Sequence, residues 1–259
     1  MAKIQNDKYY TSPELAKYCV EKTKEIIGED NITEYIEPSA GSGVFLDYLD
    51  KPYLAYDIEP EDERIVKADW LEISLDYKKG RCVIGNPPFG RANSLLKRFY
   101  KKSTEVADYI SFIMPISQLK NNQELYQYDL IYSEDLGVQQ YSNIDKHCCL
   151  NIYKKPYQRK QKPITKLKDI EFVGWRKAKD TECDFYICCY GASTGKIVDK
   201  DSGLVNINGV VIHNRELYDK IFRVFKETDW TKVYGMTSTP NLLRWQIVKY
   251  LKEQIPELE

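Results

Sequence analysis

The sequence predicts an α/β protein with a doubly wound first domain, residues 1–155, and a smaller mixed module, residues 156–259. Strand-like and helix-like segments alternate with short loops in the first part, which is typical of a parallel sheet with helices on both faces. After Lys155 the composition changes to a basic, polar stretch that carries Pro156 and Pro163. A length of 259 residues suits one standard domain plus a smaller attachment.

The first helix has clear start and stop signals. Ser12 suits an N-cap, Pro13 suits the first helical position, and Gly28 suits a stop after about Ile27. The predicted strands of the sheet are 32–37, 53–58, 65–69, 81–85, 109–114 and, as the last one, 148–154, with further helices over 43–49 and 92–103. The predicted elements of the module are strands 172–175, 184–191, 196–198 and 204–212 and helices 215–228 and 241–254.

Composition excludes several classes of protein. The chain is 42% hydrophobic, which is enough for a core and excludes a wholly disordered chain. No apolar run approaches the roughly 18 residues of a membrane span, and residues 1–10 lack the apolar stretch of a signal peptide. We therefore expect a soluble, cytoplasmic protein with no membrane partner.

The seven cysteines give no metal pattern, because there is no C-x-x-C and two of the pairs are adjacent residues. A zinc site could be assembled from Cys183, Cys188, His147 and His213. Most of the cysteines, however, lie in apolar strand-like runs, which favours buried free thiols. We expect no bound metal.

The formal net charge of −1 conceals an asymmetry. Residues 1–80 carry 10 basic and 18 acidic side chains, whereas residues 81–259 carry 28 basic and 21 acidic ones. The basic excess is densest over 146–179, where aromatic residues are interleaved with it, as on a surface that follows nucleic-acid phosphates. An ordinary solvated surface is the alternative. The candidate nucleic-acid contacts are Arg91, Lys154, Lys155, Arg159, Lys160, Lys162, Trp175 and Arg176.

A loop of small residues, Glu37-Pro38-Ser39-Ala40-Gly41-Ser42-Gly43, follows the first strand. In a doubly wound, Rossmann-like sheet this is where nucleotides bind, with backbone N–H groups at the start of the next helix. The loop is neither G-x-G-x-x-G nor a P-loop, and Glu37 would repel a pyrophosphate. An acid here would instead attract an ammonium group, which suits S-adenosylmethionine.

Two further acids end the next two strands. Asp57 can accept both hydroxyls of a ribose, with Ile58 packing on the adenine ring. Asp69, followed by Trp70, can accept from an exocyclic amino group. A single acid at a strand end is more often a turn or cap residue, but three successive strands ending in Glu37, Asp57 and Asp69 favour one cofactor site.

The fourth strand ends in Asn86-Pro87-Pro88-Phe89. The amino nitrogen of adenine is a poor nucleophile, because its lone pair is delocalised into the ring. An Asn side-chain oxygen and a Pro carbonyl can accept its two protons and free that lone pair, and the two prolines hold both acceptors in place. Phe89 offers a face on which an extruded base can stack. The structural alternative is that Asn-Pro-Pro simply ends a strand.

Together these motifs resemble the gamma-type adenine-N6 DNA methyltransferases. Tyr9-Tyr10-Thr11-Ser12-Pro13, the glycine loop and Asn-Pro-Pro-Phe occur in the family's order, over about residues 9–155. The family often has Tyr where this chain has Phe89, which leaves stacking intact. The resemblance implies S-adenosyl-L-methionine as the cofactor, double-stranded DNA as the partner and a target-reading C-terminal module. Many of its members belong to restriction–modification systems, in which case the restriction endonuclease would be a separate chain.

The resemblance also assigns site residues. Catalysis is assigned to Asn86, Pro87, Pro88 and Phe89. Cofactor binding is assigned to Tyr10, Thr11, Pro13, Glu37, Pro38, Ser39, Gly41, Asp57, Ile58, Asp69, Trp70 and Asn86. The alternatives are an RNA adenine-N6 methyltransferase, a protein glutamine methyltransferase, and a nucleic-acid-binding protein without catalysis. The intact motifs speak against the last of these, and the basic module speaks against the protein substrate.

Overall fold

A computed structural model describes residues 10–120, 125–141, 144–158, 160–178, 180–234 and 240–259. The chain divides into two compact units, with the boundary between Lys162 and Pro163. The sequence placed this boundary a few residues earlier, at 155/156. The division lies within the basic, proline-containing stretch, just before Pro163, rather than at its start.

Unit 1 is built on a seven-stranded sheet. Its strands are β1 (Glu34–Glu37), β2 (Tyr53–Asp57), β3 (Val66–Lys67), β4 (Arg81–Gly85), β5 (Tyr109–Pro115), β6 (Asp129–Tyr141) and β7 (Ile144–Lys154). Their order in the sheet is β3-β2-β1-β4-β5-β7-β6. The first five strands are parallel to one another, whereas β7 runs antiparallel to both β5 and β6. The predicted doubly wound α/β fold is confirmed, with an antiparallel hairpin added at one side.

Two helices cover opposite faces of the sheet. Helix α1 (Pro13–Ile27) begins as predicted, with the Ser12 hydroxyl accepting from Leu15 N at 3.2 Å and Gly28 at φ 83° after its end. It packs on a cluster that contains Cys82 and Ile84 of β4, whereas helix α2 (Ser94–Val106) packs on the cluster that contains Val83. Side chains of one strand alternate between two faces, so both faces of the sheet are buried.

One prediction for this unit is wrong, and one strand was not predicted. The segment 43–49 is not an α-helix, because its hydrogen bonds span three residues and only Leu46–Tyr48 forms a 3₁₀ turn. So few residues separate the glycine loop from β2 that no helix of useful length can nucleate there. The predicted last strand, 148–154, is part of β7, the last strand of this sheet along the chain, whereas β6, which lies outside β7 in the sheet, was not predicted.

Unit 2 contains an antiparallel sheet in the order β10-β9-β11-β8. Its strands are β8 (Ile170–Val173), β9 (Phe185–Cys188), β10 (Ile197–Val198) and β11 (Ile207–Ile212), and its helices are α3 (Trp175–Ala178), α4 (Tyr218–Glu227), α5 (Trp230–Val233) and α6 (Arg244–Gln254). One apolar cluster joins the sheet to α4, α5 and α6. The predicted four strands and two long helices are present, with shorter bounds.

The cysteines are free thiols, as predicted, and all but Cys183 are buried. His147 pairs with Asp135 at 2.6 Å and His213 pairs with Glu171 at 3.7 Å, so the histidines of the alternative zinc set have other partners. Within the described residues, no helix has the length and apolar character needed to cross a membrane.

Candidate active site

The site lies where three parallel strands end side by side. In the sheet, β1 lies between β2 and β4, so the carboxyl ends of the three strands meet at one edge. Glu37 ends β1, Asp57 ends β2, and Asn86 follows the last residue of β4. The predicted meeting of these three side-chain types at one sheet edge is therefore present in the fold.

Glu37 is a buried carboxyl group with an unsatisfied oxygen. Only 2% of the residue is exposed, and Oε2 has no hydrogen-bond partner among the residues that the structure describes. Burial, and secondly the charge of Asp57, raise the pKa of Glu37 well above its usual value. A buried acid without a partner is costly, so this position favours a ligand that brings a hydrogen-bond donor or a positive charge.

Gly85 makes room for that carboxyl group. Its φ is 150°, and a Cβ atom built on it would overlap Glu37 Oε1. Glycine is therefore required here by both backbone conformation and space. Gly85, which directly precedes Asn86, was not predicted as a site residue. A glycine at the end of the strand beside the one that ends in Glu37 is the feature that could have indicated it.

Asp57 is held by two backbone N–H groups. Gly41 N donates to Oδ2 and Glu59 N donates to Oδ1, each at 2.8 Å. Each carboxylate oxygen keeps a further lone pair, so ribose hydroxyls can still donate to it. Gly41 has open space where a side chain would be, and Ile58 is 49% exposed. The loop thus offers a fixed acceptor beside an open backbone surface and an exposed apolar side chain.

Asn86 is oriented by two neighbouring segments. Its Nδ2 donates to Thr11 Oγ1 at 3.2 Å, and its backbone carbonyl accepts from the Ser39 hydroxyl at 3.4 Å. Its Oδ1 has no partner among the described residues and remains an acceptor. Pro87 is buried and Pro88 half-buried, which fixes the backbone beside Asn86. The Asn-Pro-Pro turn therefore has a defined side-chain orientation.

The segment before α1 reaches the glycine loop as well. The Tyr10 hydroxyl donates to Glu61 Oε1 at 2.5 Å, and Glu61 N donates to Gly41 O at 3.0 Å. Tyr10 thus lies beside the glycine loop, and Thr11 lies beside Asn86. Pro13 is exposed and begins α1. Glu61 was not predicted as a site residue, since nothing in the sequence indicates that it returns to Gly41.

Phe89 is half-buried and packs at the border of the α1-side core. Its carbonyl accepts from Leu95 N and Leu96 N at 3.2 and 3.3 Å, at the start of α2. The backbone of this residue therefore anchors a helix, and the residue as a whole is partly buried. Both a packing role and a stacking role are compatible with this position.

Two predicted cofactor residues lie differently from expectation. Asp69 is exposed, and its Oδ1 accepts from Leu71 N at 2.9 Å, so it caps a turn. Trp70 is 1% exposed and packs against Tyr56 with ring centroids 6.2 Å apart. Its ring belongs to the core and has no open face for a ligand. For Trp70 the simpler structural interpretation holds, whereas Asp69 has a turn-capping role through Oδ1, and its cofactor role stays a prediction.

Three of the predicted nucleic-acid contacts lie at the wrong edge of the sheet for Asn86. Because β7 is antiparallel, Lys154 pairs with Tyr109 at the start of β5, roughly 13 Å behind the level of Asn86 along the strands. Lys155 lies over the Tyr77 ring at 3.6 Å, and Lys160 pairs with Asp129. The sequence did not predict this location, because the edge at which Lys154 lies depends on the direction of β7, and the sequence pattern does not show that direction.

The other candidates are exposed. Arg91 follows the Asn-Pro-Pro-Phe turn directly, and Lys162 ends unit 1. Trp175 and Arg176 lie in unit 2, with the guanidinium carbon 5.3 Å from the Trp175 ring centroid. Arg159 lies outside the described residues.

Comparisons with known proteins give remote similarities. No family model matches the chain, and no curated protein does. A candidate RNA methyltransferase of Pyrococcus horikoshii is 14% identical over 60% of this chain and 90% of its own, with a TM-score of 0.47. A 23S ribosomal RNA methyltransferase is 10% identical over 59% and 71%, with a TM-score of 0.41. A human methyltransferase 10 domain-containing protein is 14% identical over 57% and 84%, with a TM-score of 0.39. Because these similarities are so remote, the activity has to be inferred from the residues of the site.

Proposed function

We propose that unit 1 transfers a methyl group from S-adenosyl-L-methionine to N6 of an adenine in DNA. The observation that carries the proposal is the orientation of Asn86. Its amide nitrogen donates to Thr11, and its backbone carbonyl accepts from Ser39. Its side-chain oxygen has no partner among the described residues and can accept a hydrogen bond beside the acids of β1 and β2. An unpaired acceptor next to an acidic pocket suits an amino-group substrate and a cationic methyl donor.

The residues present fit S-adenosylmethionine. Glu37 offers the buried, unpartnered carboxyl oxygen that an ammonium group can satisfy. Asp57 offers fixed lone pairs for ribose hydroxyls, and Ile58 an exposed apolar surface for a base. Two acids at this edge would repel phosphate groups, which disfavours a dinucleotide or a nucleoside triphosphate.

The chain's own residues act on the adenine. Asn86 Oδ1 and the Pro87 carbonyl accept the two N6 protons, which draws the nitrogen lone pair out of the ring and directs it. Phe89 stacks on the extruded base. No general base is needed before transfer, because the amino group can lose its proton to water once the new bond has formed.

S-adenosylmethionine supplies an electrophilic methyl group on a sulfonium. Glu37 and Asp57 would hold the cofactor, and transfer of its methyl group to N6 would form a carbon–nitrogen bond as the carbon–sulfur bond breaks, with one N6 proton released to water. The protein contributes orientation and exclusion of water, which together account for much of such a rate enhancement.

The choice of DNA rests on the resemblance and on the basic residues of the chain after residue 80. Unit 2 is proposed to read the target, and Arg91 to contact a phosphate near the extruded base. In a cell, such an enzyme would act within a restriction–modification system or alone. RNA is the competing substrate, and the same assay decides between them.

The test is incubation with labelled S-adenosylmethionine and duplex DNA, RNA or protein, followed by digestion to nucleosides. We expect N6-methyladenine from DNA. Label in RNA instead would show that RNA, not DNA, is the substrate. Label in neither nucleic acid would contradict the proposal.

Variants then separate the roles of the site residues. Asn86→Ala should abolish transfer with cofactor affinity nearly unchanged, whereas Asp57→Ala should weaken cofactor binding by about 1.5–3 kcal/mol, the worth of hydrogen bonds to a charged group. Asp69→Ala, an exposed turn cap, is the matched control and should bind as the parent does. Calorimetry would contradict these roles if Asn86→Ala lost cofactor as severely as Asp57→Ala.

A further inference from the structure

Unit 2 contains a cavity of about 310 Å³ between its sheet and the start of α6. Phe172 of β8, Asn208 of β11 and Arg244 of α6 contribute to its lining, as does Trp175, which follows β8. The volume is at the lower end of small-molecule sites, so it suits one ring system rather than an extended ligand.

Three carboxamide groups line this cavity, those of Asn206, Asn208 and Asn241. Among the described residues, the side chains of Asn206 and Asn241 have no hydrogen-bond partner. Asn208 makes a long contact of 3.4 Å from Nδ2 to the Asn206 carbonyl and a side-chain hydrogen bond with Cys189. A carboxamide offers a donor and an acceptor side by side, which matches the edge of a nucleobase.

Aromatic surface and positive charge complete the cavity. Trp175 is 53% exposed, which is unusual for a side chain with so much apolar area, whereas Phe172 is 8% exposed. The Arg244 guanidinium lies 5.7 Å from the Phe172 ring centroid and donates to the Phe172 carbonyl at 3.0 Å. Arg244 is thereby fixed at the rim with further N–H donors unused, and Arg176 lies beside Trp175.

We propose that this cavity binds one unpaired nucleobase of a nucleic-acid strand. Trp175 stacks on the base, the carboxamides bond to its edge, and Arg176 and Arg244 offer charge to the neighbouring phosphates. An unspecific apolar ligand would leave the carboxamides of Asn206 and Asn241 without a partner among the described residues, and a purely electrostatic contact would not need an exposed Trp. The inference rests on the proposed function only in taking nucleic acid as the ligand.

The experiment is a fluorescence titration of the full-length protein with single-stranded oligonucleotides of one base each. Trp70 and Trp230 are buried in the cores and Trp245 is partly buried, so the part of the quenching that disappears in Trp175→Phe reports on the exposed Trp175. Trp175→Ala should weaken binding about 5- to 100-fold, the worth of one stacked base, and Trp175→Phe should retain most of the affinity. Because the Trp175 variants lose the fluorophore, their binding is followed by anisotropy of labelled oligonucleotide.

A second pair of variants tests the edge contacts. Asn208→Ala with Asn241→Ala should narrow the differences in affinity among the four bases while leaving the salt dependence unchanged. Tyr18→Ala removes an exposed aromatic side chain on α1, outside both the cavity and the basic run 146–179, and is the matched control. It should bind as the parent does.

The outcomes separate this inference from the proposed function. Trp175-dependent binding that survives in Asn86→Ala supports the cavity, even if no substrate is ever methylated. Parent-like affinity in Trp175→Ala, with methyl transfer intact, would overturn the inference and leave the proposed function standing. A loss shared equally by Tyr18→Ala would also overturn it, since the effect would then be general.

Discussion

Glu37 and Glu34 lie on the same strand and have opposite surroundings. Glu34 begins β1 and pairs with Arg81 at 2.6 Å and with Lys78 at 2.7 Å. Burial alone would raise the pKa of Glu34, but Lys78 and Arg81 outweigh it and lower that pKa. Glu37 ends the strand without such partners, and its pKa is raised. The first residue of the strand, Glu34, is therefore an ion-paired acid, whereas the last residue, Glu37, has an oxygen without a hydrogen-bond partner among the described residues.

This contrast gives a prediction for the free protein. Glu37 binds its proton more tightly in the folded protein than in the unfolded chain. Protonation of Glu37 therefore stabilises the folded protein fully below about pH 4.5, and this stabilisation is lost as the pH rises through the pKa of the folded state. Glu37→Gln should therefore raise the melting temperature at pH 8 more than at pH 5. The same variant should weaken cofactor binding by roughly 1.5–3 kcal/mol, since the charge that attracts the ammonium group is gone.

Glu34→Gln is the control, with the opposite sign. A lowered folded pKa adds stability that is present above the unfolded pKa of about 4.5 and is lost as the pH falls. Removing that charge should lower the melting temperature at pH 8 and leave cofactor affinity unchanged. A Glu37→Gln protein that melts below the parent at pH 8 would contradict the role given to its burial.

Gly85 allows a test of space at the site. Gly85→Ala should lower the free energy of unfolding by about 1–3 kcal/mol from backbone strain, and should also displace the Glu37 carboxyl group and weaken cofactor binding. Gly137→Ala is matched, because that glycine has φ 72° but open space around it. Thermal melts and calorimetry should be carried out on both variants. An equal loss of cofactor affinity in Gly85→Ala and Gly137→Ala would contradict the proposed effect of Gly85 on the Glu37 carboxyl group.

At the scale of elements, much of the sheet could be predicted from apolar runs. Strands β1, β4 and β5 are buried on both faces; β4 and β5 are largely apolar, and β1 has its apolar pair Tyr35-Ile36 between two acids. Strand β6 was missed, because it has several acids and two register shifts, between Leu130 and Tyr132 and between Asp135 and Gly137. Each shift breaks the two-residue alternation by which a strand is found.

The candidate site was predictable to a similar degree. The motifs correctly placed Glu37, Asp57 and Asn86 at one edge, since parallel strands end together. The sequence could not reveal that β7 runs backwards, and so it could not place Lys154 at the opposite edge. Strand direction depends on tertiary pairing rather than on local pattern. The same limit hid the return of Glu61 to Gly41.

The β6–β7 hairpin supplies the prediction at this scale. Pro115, the last residue of β5, pairs with Cys148, and the hairpin continues past it with Val138 opposite His147 and further pairs beyond. This arm extends from the edge that carries Asn86, and Val138 is 64% exposed. Val138→Glu should weaken nucleic-acid binding about two- to fivefold at low salt by repelling phosphate, and less at high salt.

Ile131→Glu is the matched control for the arm. Ile131 is exposed on the same strand but lies near its opposite end. It should leave nucleic-acid affinity unchanged, and neither variant should alter cofactor affinity. Equal weakening by both substitutions, measured by anisotropy across a salt series, would show that overall charge rather than the arm is responsible.

The whole molecule divides its proposed tasks between two units. Residues 1–80 are acidic and contribute most of the cofactor edge, whereas the later part of the chain has the basic excess. The proposed cofactor site lies wholly in unit 1, and the base-sized cavity lies wholly in unit 2. Ligand-linked stability should therefore be confined to one unit for each ligand.

Hydrogen exchange with peptide-level mass spectrometry tests this division. S-adenosylmethionine at about 100 times its Kd adds roughly 2.7 kcal/mol to the stability of whatever unfolds with its site, or about 100-fold slower exchange of the most protected amides. We expect that slowing in β1, β2 and β4, and none in β9 and β11 of unit 2. Asp57→Ala should reduce the slowing in unit 1 at the same ligand concentration. Slowing spread equally over both units would show that they unfold as one body and that the cofactor stabilises the molecule as a whole.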